Sequence, residues 1–152
     1  ANNDRVAARI DPELSRWQLR CPKEAFGQAL RVLLENGIEA SQAPVELHAR
    51  LRERDLVISV LDQGSGMTEA VLARVFEPFF TTKPTGKGMG LGLYLARNVV
   101  LSMRGTLVLR SVPGSGTVAE VELPAERVRQ ARNASSTLPE LARETLVTLT
   151  QR

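Results

Sequence analysis

Six of the chain's 11 glycines fall between Gly64 and Gly92, and two more, Gly114 and Gly116, share a later turn. No other feature restricts the fold as much. Glycine inside a helix or strand weakens it, so no regular element runs through either cluster. Each cluster is a place where the backbone turns or lies close to something. Gly64 and Gly66 follow an apolar run, Leu56 to Leu61, that ends at Asp62. Gly86, Gly88, Gly90 and Gly92 precede and open a helix-periodic run to Ser102. A helix start offers free N–H groups and a positive dipole end, which suit phosphate, and glycine lets backbone wrap an anion. Two of the three lysines, Lys83 and Lys87, stand in the same loop. Gly88-Met89-Gly90-Leu91-Gly92 alone is a weak signal, and the P-loop spacing is absent. No strand leads directly into it, which removes a dinucleotide turn of the Rossmann kind.

The spacing of apolar residues orders the elements. Val6 to Ile10 reads as a strand, Asp11-Pro12-Glu13 as a turn, and Trp17 to Cys21 as the hairpin partner. Phe26, Leu30, Leu33, Leu34 and Ile38 predict a helix from Lys23 to about Ser41. Val45, Leu47, Ala49 and Leu51 alternate with polar residues and predict a half-buried strand, followed by a second from Leu56 to Leu61. Thr68 caps a short helix through about Val75. Glu77 to Gly88 is a long loop, a helix runs from about Gly90 to Ser102, and Thr106 to Val112 pairs with Thr117 to Leu123. This order predicts an α/β (α+β) two-layer sandwich, a mixed and mainly antiparallel sheet with helices on one face. Residues 1–124 form that domain. Residues 125–152 read as a polar linker, Ala131 to Thr137 above all, and a C-terminal helix from Leu138 to Leu149.

Composition narrows the function. The 152 residues carry a net charge of +3, but it is almost all arginine scattered from Arg5 to Arg152, and aromatic residues are only 4%. That is a solvated basic surface rather than a nucleic-acid stripe. No apolar run approaches the ~18 residues that span a bilayer, and Ala-Asn-Asn-Asp-Arg at the start has no signal-peptide pattern. A cytoplasmic domain without direct membrane contact is expected, whether or not its parent protein is membrane-anchored. The single cysteine, Cys21, excludes an internal disulfide and a multi-cysteine metal site and reads as inert core.

Taken together, five segments resemble the Bergerat ATP-binding fold of DNA gyrase, heat-shock chaperones, mismatch-repair ATPases and histidine kinases. The likeness is closest to the catalytic domain of sensor histidine kinases. Gln28-Ala29-Leu30-Arg31-Val32-Leu33-Leu34-Glu35-Asn36-Gly37 resembles the kinase N box, and Asp62-Gln63-Gly64-Ser65-Gly66-Met67 the first glycine box. Val75-Phe76-Glu77-Pro78-Phe79-Phe80-Thr81-Thr82-Lys83 resembles the F box as spelled in nitrogen-regulation and redox-type sensor kinases. Gly88-Met89-Gly90-Leu91-Gly92-Leu93 resembles the second glycine box, and Gly114-Ser115-Gly116-Thr117 the last turn. The resemblance covers about residues 5 to 124. It implies a protein-histidine kinase domain of a two-component system that uses ATP and magnesium. Such a domain delivers the ATP γ-phosphate to a histidine on a separate dimerisation domain, with a response regulator downstream. The alternative is a hydrolytic ATPase or an anti-sigma-type protein-serine kinase on the same fold.

The resemblance assigns roles. Asp62 would accept a hydrogen bond from the adenine amino group, where guanine presents a carbonyl. Its other reading is an Asx turn. Gly64 and Gly66 would let the backbone near the base, and Thr117 would meet the same edge. Asn36 would bind magnesium through its amide oxygen and take part in catalysis. Its other reading is a helix C-terminal Asn, because Gly37 replaces the family's alanine. Glu35 and Glu39 lie nearby, each with the other reading of a solvated face residue, Glu39 being the weaker metal candidate. Thr81, Thr82, Lys83, Lys87, Gly88, Gly90, Leu91 and Gly92 would hold the triphosphate, with Lys83 catalytic. Phe76, Phe79 and Phe80 would anchor the loop to the core. Val32 stands where hydrolytic members place a glutamate and many kinases a second Asn, which argues against hydrolysis. His48, the lone histidine, falls on the polar side of a strand, so the chain is expected to bind ATP without phosphorylating itself.

Overall fold

The computed structural model describes residues 5–130 and 138–150. The expected linker residues Ala131 to Thr137 and the first four residues lie outside it. The elements in order are β1 Val6–Ile10, a 3-10 turn Pro12–Arg16, β2 Trp17–Leu19, α1 Lys23–Ala40, β3 Val45–Arg52 and β4 Asp55–Asp62. Then come α2 Glu69–Leu72, α3 Gly92–Ser102, β5 Thr106–Ser111, β6 Thr117–Leu123, β7 Val128–Gln130 and α4 Leu138–Thr150.

Five strands form one sheet in the order β1-β3-β4-β6-β5, and β2 pairs with β7 in a second. All pairs in the larger sheet are antiparallel except β1 with β3, so the sheet is mixed and mainly antiparallel. Successive strand side chains point to opposite faces. Val45, Leu47 and Ala49 of β3 therefore join Leu56, Ile58 and Val60 of β4 and Ala119, Val121 and Leu123 of β6 on one buried face. Phe26, Leu30, Leu33 and Leu34 of α1 and Ala96 and Val100 of α3 cover that face, and together they form the core. The opposite face is polar. Arg52 pairs with Glu122 at 2.6 Å, Arg9 with Glu46 at 3.5 Å and Arg110 with Glu120 at 3.8 Å. His48 lies there too, 2.7 Å from Glu46. Val57 shares this face, opposite Arg50 and Glu122, yet is only 1% exposed, since long charged side chains cover apolar surface with their stems.

The expected hairpin of β1 with β2 does not form. Pro12 opens the 3-10 turn, the Asp11 side chain accepts from the Glu13 N–H at 3.0 Å, and Leu14 is fully buried. Those residues carry the chain away from β1. β1 then adds to β3 in parallel, Val6 opposite Val45, and β2 adds to β7. Cys21 lies beyond the end of β2 and is half-buried. Burial pushes its thiol pKa up, which keeps it protonated and unreactive at neutral pH. α2 stops at Leu72, short of Val75. α3 begins at Gly92 rather than Gly90, because Gly90 has a left-handed φ of +69° that no helix accepts.

Residues 125–152, expected as linker and helix, supply β7 and α4. α4 buries Leu141, Ala142 and Thr145, and Glu144 pairs with Lys23 of α1 at 3.0 Å. Leu141→Ala should therefore lower unfolding stability by about 2 kcal/mol, read as a lower urea midpoint. An unchanged midpoint would mean that α4 unfolds separately from the core.

Candidate functional site

One cleft of about 1150 Å³ opens between α1, the end of β4 and the loop before α3. Of the candidate residues Gly64 and Glu35 do not line it, while Asn36, Asp62, Gly66, Thr81, Thr82, Lys83, Lys87, Gly88, Gly90, Leu91, Gly92 and Thr117 do. Residues more than 80 positions apart in sequence thus meet at one place.

Asp62 forms the Asx turn that is its other sequence reading, and it does so with one oxygen. Its Oδ1 accepts the Gly64 N–H at 2.8 Å, which is the Asx turn, and the Thr117 N–H of β6 at 3.2 Å. Two backbone donors hold the carboxylate, and Oδ2 carries no hydrogen bond among the described residues. Thr117 adds a second polar group. Ser111 Oγ accepts the Met67 N–H at 2.8 Å and donates to the Gly116 carbonyl at 3.0 Å. The 2.8 Å contact between Ser111 Oγ and Thr117 Oγ1 then uses the Thr117 proton, so Thr117 faces the cleft as an acceptor. Ser111 carried no motif and was not legible in the sequence. Val60, Leu109, Ala119 and Val99, which no motif singles out, supply apolar wall.

The two glycines after Asp62 have a different cause from the one expected. A Cβ on Gly64 would come 2.4 Å from the Ala40 carbonyl oxygen, and one on Gly66 would come 2.0 Å from that of Val112. Close packing of protein on protein, not room for a ligand, excludes side chains there. Gly37 is similar, its missing Cβ lying 3.1 Å from Val45 and 3.5 Å from Asp62. α1 continues through Gly37 to Ala40, so Asn36 is not a C-terminal cap. Asn36 follows Val32 by one turn on the cleft side of α1, and both line the cleft. Val32 packs against the start of α3, 3.1 Å from where a Gly92 Cβ would be.

The first turn of α3 has no side-chain cap at Leu91 and no acidic residue. Its free N–H groups and dipole therefore face the cleft without an internal anion. In the loop, Thr81 Oγ1 accepts the Lys83 N–H at 3.1 Å, and the Lys87 N–H donates to the Pro84 carbonyl at 3.0 Å. The Lys83 ammonium forms an ion pair with Glu39 of α1. The three phenylalanines do not act alike. Phe76 packs on the core, and Arg97 lies 4.8 Å from its ring. Phe80 lines the cleft under Arg74 at 4.3 Å. Phe79 anchors nothing with its ring, which is 74% exposed, although its N–H donates to the Gly90 carbonyl at 2.9 Å.

Gly64→Ala should cost about 1–3 kcal/mol through overpacking, visible in urea unfolding. A wild-type midpoint would mean that the turn after β4 does not rest on the end of α1.

Residues 22–127 match the family described as histidine kinase-, DNA gyrase B-, and HSP90-like ATPase. The chain is 42% identical over 118 residues to sensor protein kinase FleS of Pseudomonas aeruginosa, covering 72% of this chain and 29% of that protein. The catalytic domain of histidine kinase ThkA superposes with a TM-score of 0.67 at 26% identity, over 79% of this chain and 78% of that one. Full-length ShkA in complex with AMPPNP shares the fold, with a TM-score of 0.69 at 24% identity, over 85% of this chain and 26% of ShkA. The chain thus spans less than a third of the FleS protein it matches. It belongs to the histidine kinase-, DNA gyrase B- and HSP90-like ATPase family, as an ATP-binding catalytic domain of the sensor histidine kinase type.

Proposed function

We propose that the cleft holds ATP with its adenine against Asp62 and its phosphates between the start of α3 and the loop of Thr81 to Lys87, for transfer of the γ-phosphate to a histidine on another domain. The observation that carries this reading is the carboxylate of Asp62. Two backbone N–H groups hold one oxygen, and the other has no hydrogen-bond partner among the described residues, at the edge of a partly apolar cleft. A rigid acceptor of that kind suits an exocyclic amine and opposes a carbonyl in the same place. The uncapped start of α3 supports the phosphate end.

This chain's residues would act by positioning and by neutralising charge, which is most of what phosphoryl transfer asks of a protein. Lys83 and Lys87 would neutralise phosphate oxygens, Thr81 and Thr82 would offer hydroxyl donors, and the loop would exclude water as it closes. Asn36 fits magnesium as a lone side-chain oxygen ligand, because that ion keeps several waters and binds phosphate oxygens directly. Magnesium would there draw charge from the phosphates. Among the described residues, no group of three or more His, Cys, Asp or Glu could hold a metal by itself. Val32 supports transfer over hydrolysis, since its methyl groups lie against the start of α3, where a base for water would be needed. The acceptor would belong to a dimerisation domain of the same protein, with a response regulator as the next recipient. ATP as substrate favours the cytoplasm, and no described helix is long and apolar enough to cross a membrane.

Calorimetry with ATP tests the adenine contact. Asp62→Asn should weaken binding roughly 10- to 100-fold, the loss of one hydrogen bond to a charged group. Unchanged affinity would refute the placement. Asn36→Ala should weaken ATP binding with magnesium and leave it unaltered in EDTA; an equal loss in both would remove Asn36 from the metal. With labelled ATP, the chain alone should stay unlabelled, and an added domain bearing the acceptor histidine should gain acid-labile phosphate. Label appearing only as free phosphate would favour hydrolysis.

A further inference from the structure

The ion pair of Lys83 with Glu39 joins two walls of the cleft. Glu39 stands on α1 within one turn of Asn36, and Lys83 stands on the loop before α3. Both line the cleft. The Lys83 backbone is held by Thr81, and its aliphatic stem rests 3.1 Å from where a Gly88 Cβ would be. The stem thus passes beside Gly88, while the ammonium crosses to α1. The carboxylate of Glu39, the weaker metal candidate, thus has a cation of the protein's own beside it. Lys87 takes part in none of the ion pairs among the described residues.

We propose that Glu39 is a specificity-determining residue that stands in for the phosphate chain, holding Lys83 until an anionic ligand displaces it. This rests on the reading of the cleft as an ATP site. Both partners are more than a third exposed, so the pair shifts an equilibrium by no more than about fivefold. An exchange that small is readily reversed. A phosphate chain offers Lys83 more negative charge than one carboxylate and takes it over. A nucleoside without phosphate leaves the pair intact. Glu39 thus sets a modest threshold against anions too weak to claim Lys83, and it places the lysine in the cleft before the ligand arrives.

Binding of ATP and of adenosine to the whole chain, measured without metal and with magnesium, tests this. Glu39→Gln should tighten ATP binding about two- to fivefold under both conditions and leave adenosine unchanged. Lys83→Gln should weaken ATP alone, and adding Glu39→Gln to it should give no further gain. A gain that persists without Lys83 would reduce Glu39 to plain repulsion of phosphate. Weaker ATP binding in Glu39→Gln only with magnesium would make Glu39 a metal ligand, and weaker binding of both compounds would make it a structural strut. Each of these overturns the proposal, as does an unchanged ATP affinity. Failure of the ATP reading itself looks different, since Asp62→Asn would then leave adenosine binding unaltered. Acylation of the three lysines gives a readout without nucleotide. Lys83 should react more slowly than Lys87 in the wild type and equally fast in Glu39→Gln, and ATP but not adenosine should slow it again. Equal rates in the wild type would sink the pair.

Discussion

Two backbone hydrogen bonds to one carboxylate oxygen hold the functional end of this domain together. Asp62 is the last residue of β4, and its Oδ1 is shared by Gly64 and Thr117. The turn after β4 and the start of β6 are tied together by that one side chain. A charge-assisted bond to backbone N–H is about twice as strong as a neutral one. The same pairing leaves the second oxygen without a hydrogen bond among the described residues.

The motifs were legible because their chemistry is local. A glycine that must lie close to a backbone, a threonine before a short helix and an aspartate at a strand end can each be read within a few residues. The alternation in β3 and the helical spacing in α1 were equally plain, and with them the two-layer fold. The placement of β1 and β2 was not, because neighbouring apolar runs suggest a hairpin by default. What prevents it is the burial of Leu14, a property of the whole core. β7 hid in a polar stretch because three residues carry no period. Ser111 and the partnership of Lys83 with Glu39 depend on contacts far apart in sequence, which no local pattern announces.

At Gly64 and Gly66 the structure supplies a cause that the sequence did not announce. They make way for the carbonyls of Ala40 and Val112. Tight backbone packing at those points draws the turn inward, so the cleft beside Asp62 gains its shape from protein contacts that exist before any ligand binds. A site formed in advance loses little conformational entropy on binding. The loop from Thr81 to Gly88, by contrast, is held largely by hydrogen bonds within itself.

The outer face of the sheet carries arginine and glutamate in alternation, with Val57 roofed over by their stems. Such a face keeps its counter-charges within itself, and it offers little greasy area for another molecule to grip. Unpaired strand edges invite sticking, and arginines at β1 and β5, Arg9 and Arg110, blunt them. A sheet whose two rims are blunted in this way resists growing by addition of a second copy, edge to edge.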